Sequence, residues 1–273
     1  MEVSSRFVDA GGIRTHYLHV GTGTPVILIH GGGAGADAYG NWSGVIPEFA
    51  KHHEVFAMDM IGFGKTDKPD PESFTYSTQA RVDHLIAFID ALGLKSVSLV
   101  GNSMGGSASL GVGMQRPELL DRLVLMGSAG LSRYENNGGP RPLTSYDTPD
   151  KEAMRKLVKH LTYSYEPSEE LLEYRVKLTS DPATLAAYRA TMQWIVDQGG
   201  LFYEDEDIAR VKAPTLIVNG KNDKVNQVWK AIKFSELIER SWLFLIPDCG
   251  HWAMIEQPDD FNAATLHFLQ KKL

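Results

Sequence analysis

What most constrains this chain is a series of brief, unbroken apolar runs at residues 26–29, 55–58, 97–100, 123–126, 216–218 and 243–246, each closed by Gly, Asp or Pro. They are too short for buried helices and lack the alternation of a half-exposed strand. They therefore suit strands buried on both faces of a parallel sheet. Residues 14–20 alternate loosely after Gly11-Gly12 and predict an early antiparallel strand. Between the runs, Val82, Leu85, Ile86, Ile89 and Leu92 keep helical spacing, and Gly93 ends that segment. Phe261, Ala264, Leu266 and Leu269, after Pro258, predict a further helix. Strands alternating with helices define an α/β protein with a doubly wound, mostly parallel sheet.

The rhythm breaks between about residues 132 and 210. Asn136-Asn137-Gly138-Gly139-Pro140 reads as a flexible connection, and helices are predicted at 151–161, 168–178 and 182–196 with no strand between them. Residues 1–131 and 211–273 are accordingly expected to form the α/β core, with 132–210 inserted over it as a helical cap. Charge narrows the partners: 34 acidic against 27 basic residues give a net charge of -7, the wrong sign for a general nucleic-acid binder. No apolar run approaches the roughly 18 residues needed to cross a bilayer. The start, Met1 to Arg6, has no basic stretch leading into an apolar one, so no secretory signal is expected. The single cysteine, Cys249, excludes an internal disulfide and a multi-cysteine metal cluster. A cytoplasmic protein is the expectation.

The run at 97–100 leads into Gly101-Asn102-Ser103-Met104-Gly105-Gly106 and then a helix of small residues. This is G-x-S-x-G between a strand and a helix, where small neighbours permit a tight turn that lifts the serine above the sheet. The Met104 N–H, opening the helix, then faces a developing oxyanion. A Gly-rich turn with an incidental serine is the competing reading. A serine nucleophile needs a base, and His251 follows the last strand; Asp223, after the preceding strand, is placed to orient it. Asp248 lies so close to His251 in sequence that it serves a turn more readily, and His84 and His267 fall in predicted helices. His30-Gly31-Gly32-Gly33 closes an early strand, and a backbone without Cβ atoms can approach a substrate oxygen. Gly32 is the preferred second oxyanion donor, with Gly31 and Gly33 beside it.

Two other motifs compete. Gly31-Gly32-Gly33-Ala34-Gly35-Ala36 satisfies a loose dinucleotide fingerprint with Asp59 ending the next strand, but Asp59 lies far downstream and Pro47 interrupts the required helix. Gly64-Lys65-Thr66 mimics the end of a phosphate loop, yet the earlier glycine it needs is Asp59.

Taken together, His30 to Gly33, Gly101 to Gly106, Asp223 and Gly250-His251-Trp252 resemble the α/β-hydrolase superfamily. More narrowly they resemble its meta-cleavage-product hydrolases, which cleave carbon–carbon bonds in bacterial aromatic degradation, in the branch handling carbazole- or alkylbenzene-derived products. The likeness extends over Met58 to Thr66 and the segment Thr191 to Ile195. It implies the 2-hydroxy-6-oxohexa-2,4-dienoate substrates of that family, no metal or organic cofactor, and a homo-oligomer of two or more copies. It also implies substrate-binding roles for Asn41, Asn102, Arg175 and Trp252. Arg175 can clamp a carboxylate bidentately and shares a helix face with Leu171 and Leu172; a surface arginine paired with glutamate is its alternative. Asn102 would hold the 2-oxo group, or be a turn residue. Asn41 would brace the oxyanion loop, or cap a helix. Trp252 would cover the polar subsite, or be core.

Ala129, Leu161, Met192, Trp194, Ile195 and Val225 are candidates for an apolar chamber, since strand-end loops and cap face one another in this fold. The loop after Asp223 departs from the family: Lys224-Val225-Asn226-Gln227 stands where relatives commonly carry two valines and a proline, which leaves the substituent preference at C6 open. Two other functions use the same residues. A carboxylesterase would employ the triad without Arg175, and a ligand receptor would retain it with slow turnover. The acidic run Glu204 to Asp207 has no histidine nearby and reads as solvated surface.

Overall fold

The computed structural model describes residues 2–131, 143 and 145–272. The apolar runs become strands β3 (Thr24–Ile29), β4 (His53–Met58), β5 (Val97–Asn102), β6 (Leu120–Met126), β7 (Thr215–Gly220) and β8 (Ser241–Ile246), preceded by β1 (Ser4–Ala10) and β2 (Ile13–Val20). All eight form one sheet, ordered β1-β2-β4-β3-β5-β6-β7-β8. Pairing is parallel from β4 through β8, while β2 runs antiparallel to both β1 and β4. Strands β3, β5, β6 and β7 are buried along most of their length, as unbroken apolar runs require.

Two strands depart from the sequence reading. β1 lies outside that reading, because Ser4 to Ala10 carries little apolar pattern; among the described residues it pairs with β2 alone, and its Phe7 lies under the Arg14 guanidinium, 3.5 Å from ring centroid to Cζ. β8 is not buried on both faces. It ends the sheet, and Trp242, Leu243 and Phe244 are each 37% exposed.

Helices α1 (Ala38–Trp42) and α2 (Ile46–Phe49) follow β3, with Pro47 in the first turn of α2 where a missing N–H costs nothing. Helix α3 (Thr78–Ala91) starts at the Ser77 cap and stops at left-handed Gly93, whose N–H and that of Leu94 reach back to Asp90 and Ile89 carbonyls. Helix α4 (Met104–Gln115) springs from β5. Between β6 and β7 come α5 (Lys151–Leu161), α6 (Glu169–Thr179), α7 (Pro182–Gln198) and the short α8 (Asp205–Ile208), with Asp150, Ser168 and Asp181 capping the first three. Helices α9 (Val228–Leu237), α10 (Ala253–Glu256) and α11 (Pro258–Gln270) complete the chain. The connection at Asn136 to Pro140 lies outside the described residues.

Asp59 is occupied structurally. Its carboxylate accepts Ala38 N, Lys65 N and His16 Nδ1 at 2.7–2.8 Å, so it is no ribose ligand. Acidic Asp205 pairs with Lys233 at 2.9 Å. No group of three metal-ligating side chains converges among the described residues, and no helix there is long and apolar enough to cross a membrane.

Candidate active site

Where β5 turns into α4, Ser103 sits at φ 54°, ψ -114°, a conformation that costs any residue with a Cβ. The surrounding sequence enforces it. A Cβ on Gly105 would stand 2.4 Å from the Ile29 carbonyl oxygen, so only glycine lets α4 pack this tightly on the end of β3. The turn is pinned on both sides: Ser103 N donates to Met126 O at 3.0 Å, and Ala129 N donates to Ser103 O at 3.1 Å. Met104 N lies in the first helical turn, where backbone donors have no intrahelical acceptor.

His251 follows β8 and Asp223 follows β7, and the sheet brings them into contact. His251 Nδ1 lies 2.8 Å from Asp223 Oδ2, both side chains essentially inaccessible. The other carboxylate oxygen accepts Val225 N at 2.7 Å and Asn226 N at 2.9 Å. With Nδ1 engaged by the carboxylate, Nε2 is the nitrogen left for chemistry. Gly127 packs against this pair; a Cβ there would meet His251 Nδ1 at 3.0 Å.

One cavity collects these groups. Gly31, Gly32 and Gly33 line it with Asn102, Ser103, Met104, His251 and Trp252 on its polar side, and Ala129, Leu161, Met192, Ile195 and Val225 on its apolar side. The polar end continues into residues just behind the wall. Asn41, in α1, points its Nδ2 at Asn102 Oδ1 over 3.5 Å, and Asn102 Nδ2 donates to Met126 O at 3.2 Å. Asn41 Oδ1 is buried without a partner among the described residues.

Arg175 is completely buried beneath Gly33 and Trp252. Its Nη2 donates to Ala34 O at 2.8 Å, its Cζ lies 4.8 Å from the Trp252 ring centroid, and Nε and Nη1 have no partner among the described residues. The surface-arginine alternative is therefore wrong. Burial pulls its pKa down to about 10, opposed by Asp37 and by the phenols of Tyr188, Tyr174 and Tyr146. The group stays cationic at neutral pH. A buried cation with idle donors has a strong demand for an anion.

Comparison with known proteins decides what this arrangement belongs to. Residues 26–264 match the family described as "Alpha/beta hydrolase family". The 2-hydroxy-6-oxo-6-(2'-aminophenyl)hexa-2,4-dienoic acid hydrolase of Metapseudomonas resinovorans is 53% identical over 98% of this chain and 91% of its own length. A solved serine hydrolase involved in carbazole degradation superposes with a TM-score of 0.90 at 50% identity, covering 98% of this chain and 99% of that one. The meta-cleavage product hydrolase of Pseudomonas fluorescens IP01 gives a TM-score of 0.89 at 37% identity over 97% of both chains.

The chain is a meta-cleavage-product hydrolase of the α/β-hydrolase family.

Most residues singled out from the hydrolase sequence meet at this cavity, with Asp223, Asn41 and Arg175 one layer behind its wall. Trp194 does not. Met192 and Ile195 face the cavity from α7, whereas Trp194 is turned about 200° around the helix from Met192 and packs half-buried against the core. The alternatives for the other histidines resolve as well. His84 is structural, with Nε2 2.7 Å from Thr15 Oγ1, and His267 lies exposed on α11. Asp248 occupies a left-handed turn at φ 49°.

Four further residues line the cavity of the hydrolase: Leu143, Leu201, Asn226 and Lys230. Asn226 departs from the family pattern in sequence, and here its Nδ2 donates to Gly127 O at 2.8 Å while its Oδ1 accepts from Lys230 Nζ at 3.2 Å. Leu143 and Leu201 sit outside any helix or strand, with no periodicity to single them out.

Proposed function

We propose that this hydrolase cleaves 2-hydroxy-6-oxohexa-2,4-dienoates carrying an aryl group at C6, with Ser103, His251 and Asp223 as its triad and the amides of Gly32 and Met104 as its oxyanion hole. The observation that carries this reading is Arg175, a buried cation with two guanidinium nitrogens idle among the described residues, one layer behind the Gly33 and Trp252 wall of the Ser103 cavity. A simple ester offers it nothing, whereas a dienoate carboxylate satisfies it. Asn102, braced by Asn41, would take the 2-oxo oxygen, and Trp252 would cover this end. Ala129, Leu161, Met192, Ile195 and Val225 would enclose the C6 substituent. The aryl preference draws on the relative whose name specifies a 2'-aminophenyl dienoate.

In this reading the dienol first becomes its keto tautomer, which conjugates an electron sink with the bond to be broken. Ser103 Oγ, or a water in its place, attacks C6 while His251 Nε2 takes the proton. The alkoxide is stabilised by the two amides. Collapse breaks C5–C6, the electron pair passes through the C3–C4 double bond into the C2 ketone, and the proton taken by His251 is returned to the resulting C2 enolate oxygen, C5 being left as the terminal methylene. The products are 2-hydroxypenta-2,4-dienoate and, after hydrolysis of any acyl-serine, a carboxylic acid. Mass-spectrometric trapping of a Ser103 adduct distinguishes the serine route from the water route.

Residues 132–210 would act as the cap that closes the apolar chamber, in a cytoplasmic enzyme that assembles with copies of itself. The decisive assay follows bleaching of dienoates bearing phenyl, aminophenyl or alkyl at C6 alongside a nitrophenyl ester. Ser103→Ala should lower dienoate turnover at least about 10³-fold. Arg175→Ala should lower dienoate kcat/KM on the order of 100-fold while ester hydrolysis falls far less. Equal loss on both substrates would make Arg175 structural, and ester cleavage without dienoate turnover would overturn the substrate assignment.

A further inference from the structure

Among the described residues Arg175 has a single hydrogen bond to hold its guanidinium, yet clamping a carboxylate through two parallel N–H donors requires a fixed fork. Its neighbour supplies the missing restraint. The Tyr174 phenol donates to Asp37 Oδ2, and Asp37 Oδ1 accepts Gly40 N at 2.7 Å as the cap of α1. One carboxylate therefore joins α6, which carries Arg175, to α1, which carries Asn41. The loop that leads from β3 into α1 lies hard against α6. Gly35 adopts φ +66°, and a Cβ there would stand 2.5 Å from the Arg175 carbonyl oxygen.

We propose that Tyr174 and Asp37 are a positioning pair that fixes Arg175, and its distance from Asn41 and Asn102, for the substrate carboxylate. The proposal rests on the reading of Arg175 as the carboxylate clamp. Electrostatics favour a strong tie. Burial and the nearby Asp59 carboxylate push Asp37 up to about 6, while the Tyr174 hydrogen bond, the Gly40 amide and Arg175 oppose that rise. Above that pH Asp37 is an anion, so the phenol makes a charge-assisted hydrogen bond to it. Tyr174, desolvated and beside that anion, is held well above the usual phenol range and remains a donor. Tyr39 packs edge-on against the Tyr174 ring at 5.6 Å, and His16 holds Asp59 from the other side at 2.7 Å.

The test is a double-mutant cycle on dienoate bleaching, with thermal unfolding recorded for each variant. Tyr174→Phe deletes one oxygen and keeps the ring. It should raise KM about tenfold with kcat within about twofold, since a binding group loosened before chemistry acts on KM. In an Arg175→Ala background the same change should have no further effect. Asp37→Asn, whose oxygen can still cap Gly40 and whose amide can donate to the phenol oxygen, should keep KM within about threefold of wild type. An unchanged KM in Tyr174→Phe, alongside a raised one in Arg175→Ala, overturns the positioning pair and leaves the clamp standing. So do independent, multiplying effects in the double variant, or equal losses in KM and kcat. If Arg175→Ala itself leaves KM unaltered, the clamp and the pair fall together.

Discussion

Ser103 carries its cost in the main chain rather than the side chain. At φ 54°, ψ -114° a residue with a Cβ is strained by roughly 1–3 kcal/mol, and glycine is not. Glycine also gains freedom in the unfolded chain, which returns part of the difference. Ser103→Gly should therefore be inactive yet more stable by about 1 kcal/mol, read as a higher urea midpoint with an unchanged m-value. A destabilised variant would mean the hydroxyl, not the backbone, matters to the fold. The serine was legible in the sequence because a nucleophile turn has a local signature, five residues between a strand and a helix. Asp37 and Tyr174 have none. They are 137 residues apart, each in an unremarkable setting, and only the packing of α6 on α1 makes them partners. Trp194 was misassigned for a related reason: membership of a segment is readable, but which face of α7 looks inward depends on what α7 rests upon.

At the scale of elements, the sheet was readable where burial on both faces leaves an apolar run, and unreadable at β1, whose exposed residues leave no such mark. Helices α5, α6 and α7 were readable as helical segments with no strand between them, but their attachment was not. One attachment runs through Glu256 in α10. Its Oε1 accepts Gly250 N at 2.9 Å and its Oε2 accepts Tyr163 N at 2.7 Å, two residues past the end of α5. Beside it, His251 N donates to Leu161 O at 2.8 Å. One carboxylate thus spans the histidine loop and the first inserted helix. Glu256→Ala leaves both donors short of an acceptor and should cost about 1–2 kcal/mol in denaturant unfolding. Because Gly250 precedes His251, kcat should fall as well. A loss confined to stability would show that the loop holds its shape without this bond.

For the whole molecule, the sheet ends asymmetrically. β1 is a polar border, whereas β8 presents Trp242, Leu243 and Phe244, with Lys271 Nζ 4.7 Å from the Trp242 ring centroid as partial cover. An apolar edge strand invites pairing, and proteins commonly cover or charge such edges. If the proposed self-assembly uses this edge, sedimentation equilibrium should give a dimer or larger species, and Phe244→Lys should shift it toward monomer; an unshifted assembly would place the interface elsewhere. The same sheet order has a temporal consequence. Ser103 follows β5, Asp223 follows β7 and His251 follows β8, so β6, β7 and β8 must all be seated before base meets nucleophile. Parallel pairings between segments so distant in sequence close late and slowly. A chain whose last two strands are not yet paired therefore carries the serine without its base, so catalytic competence waits on the C-terminal end of the sheet.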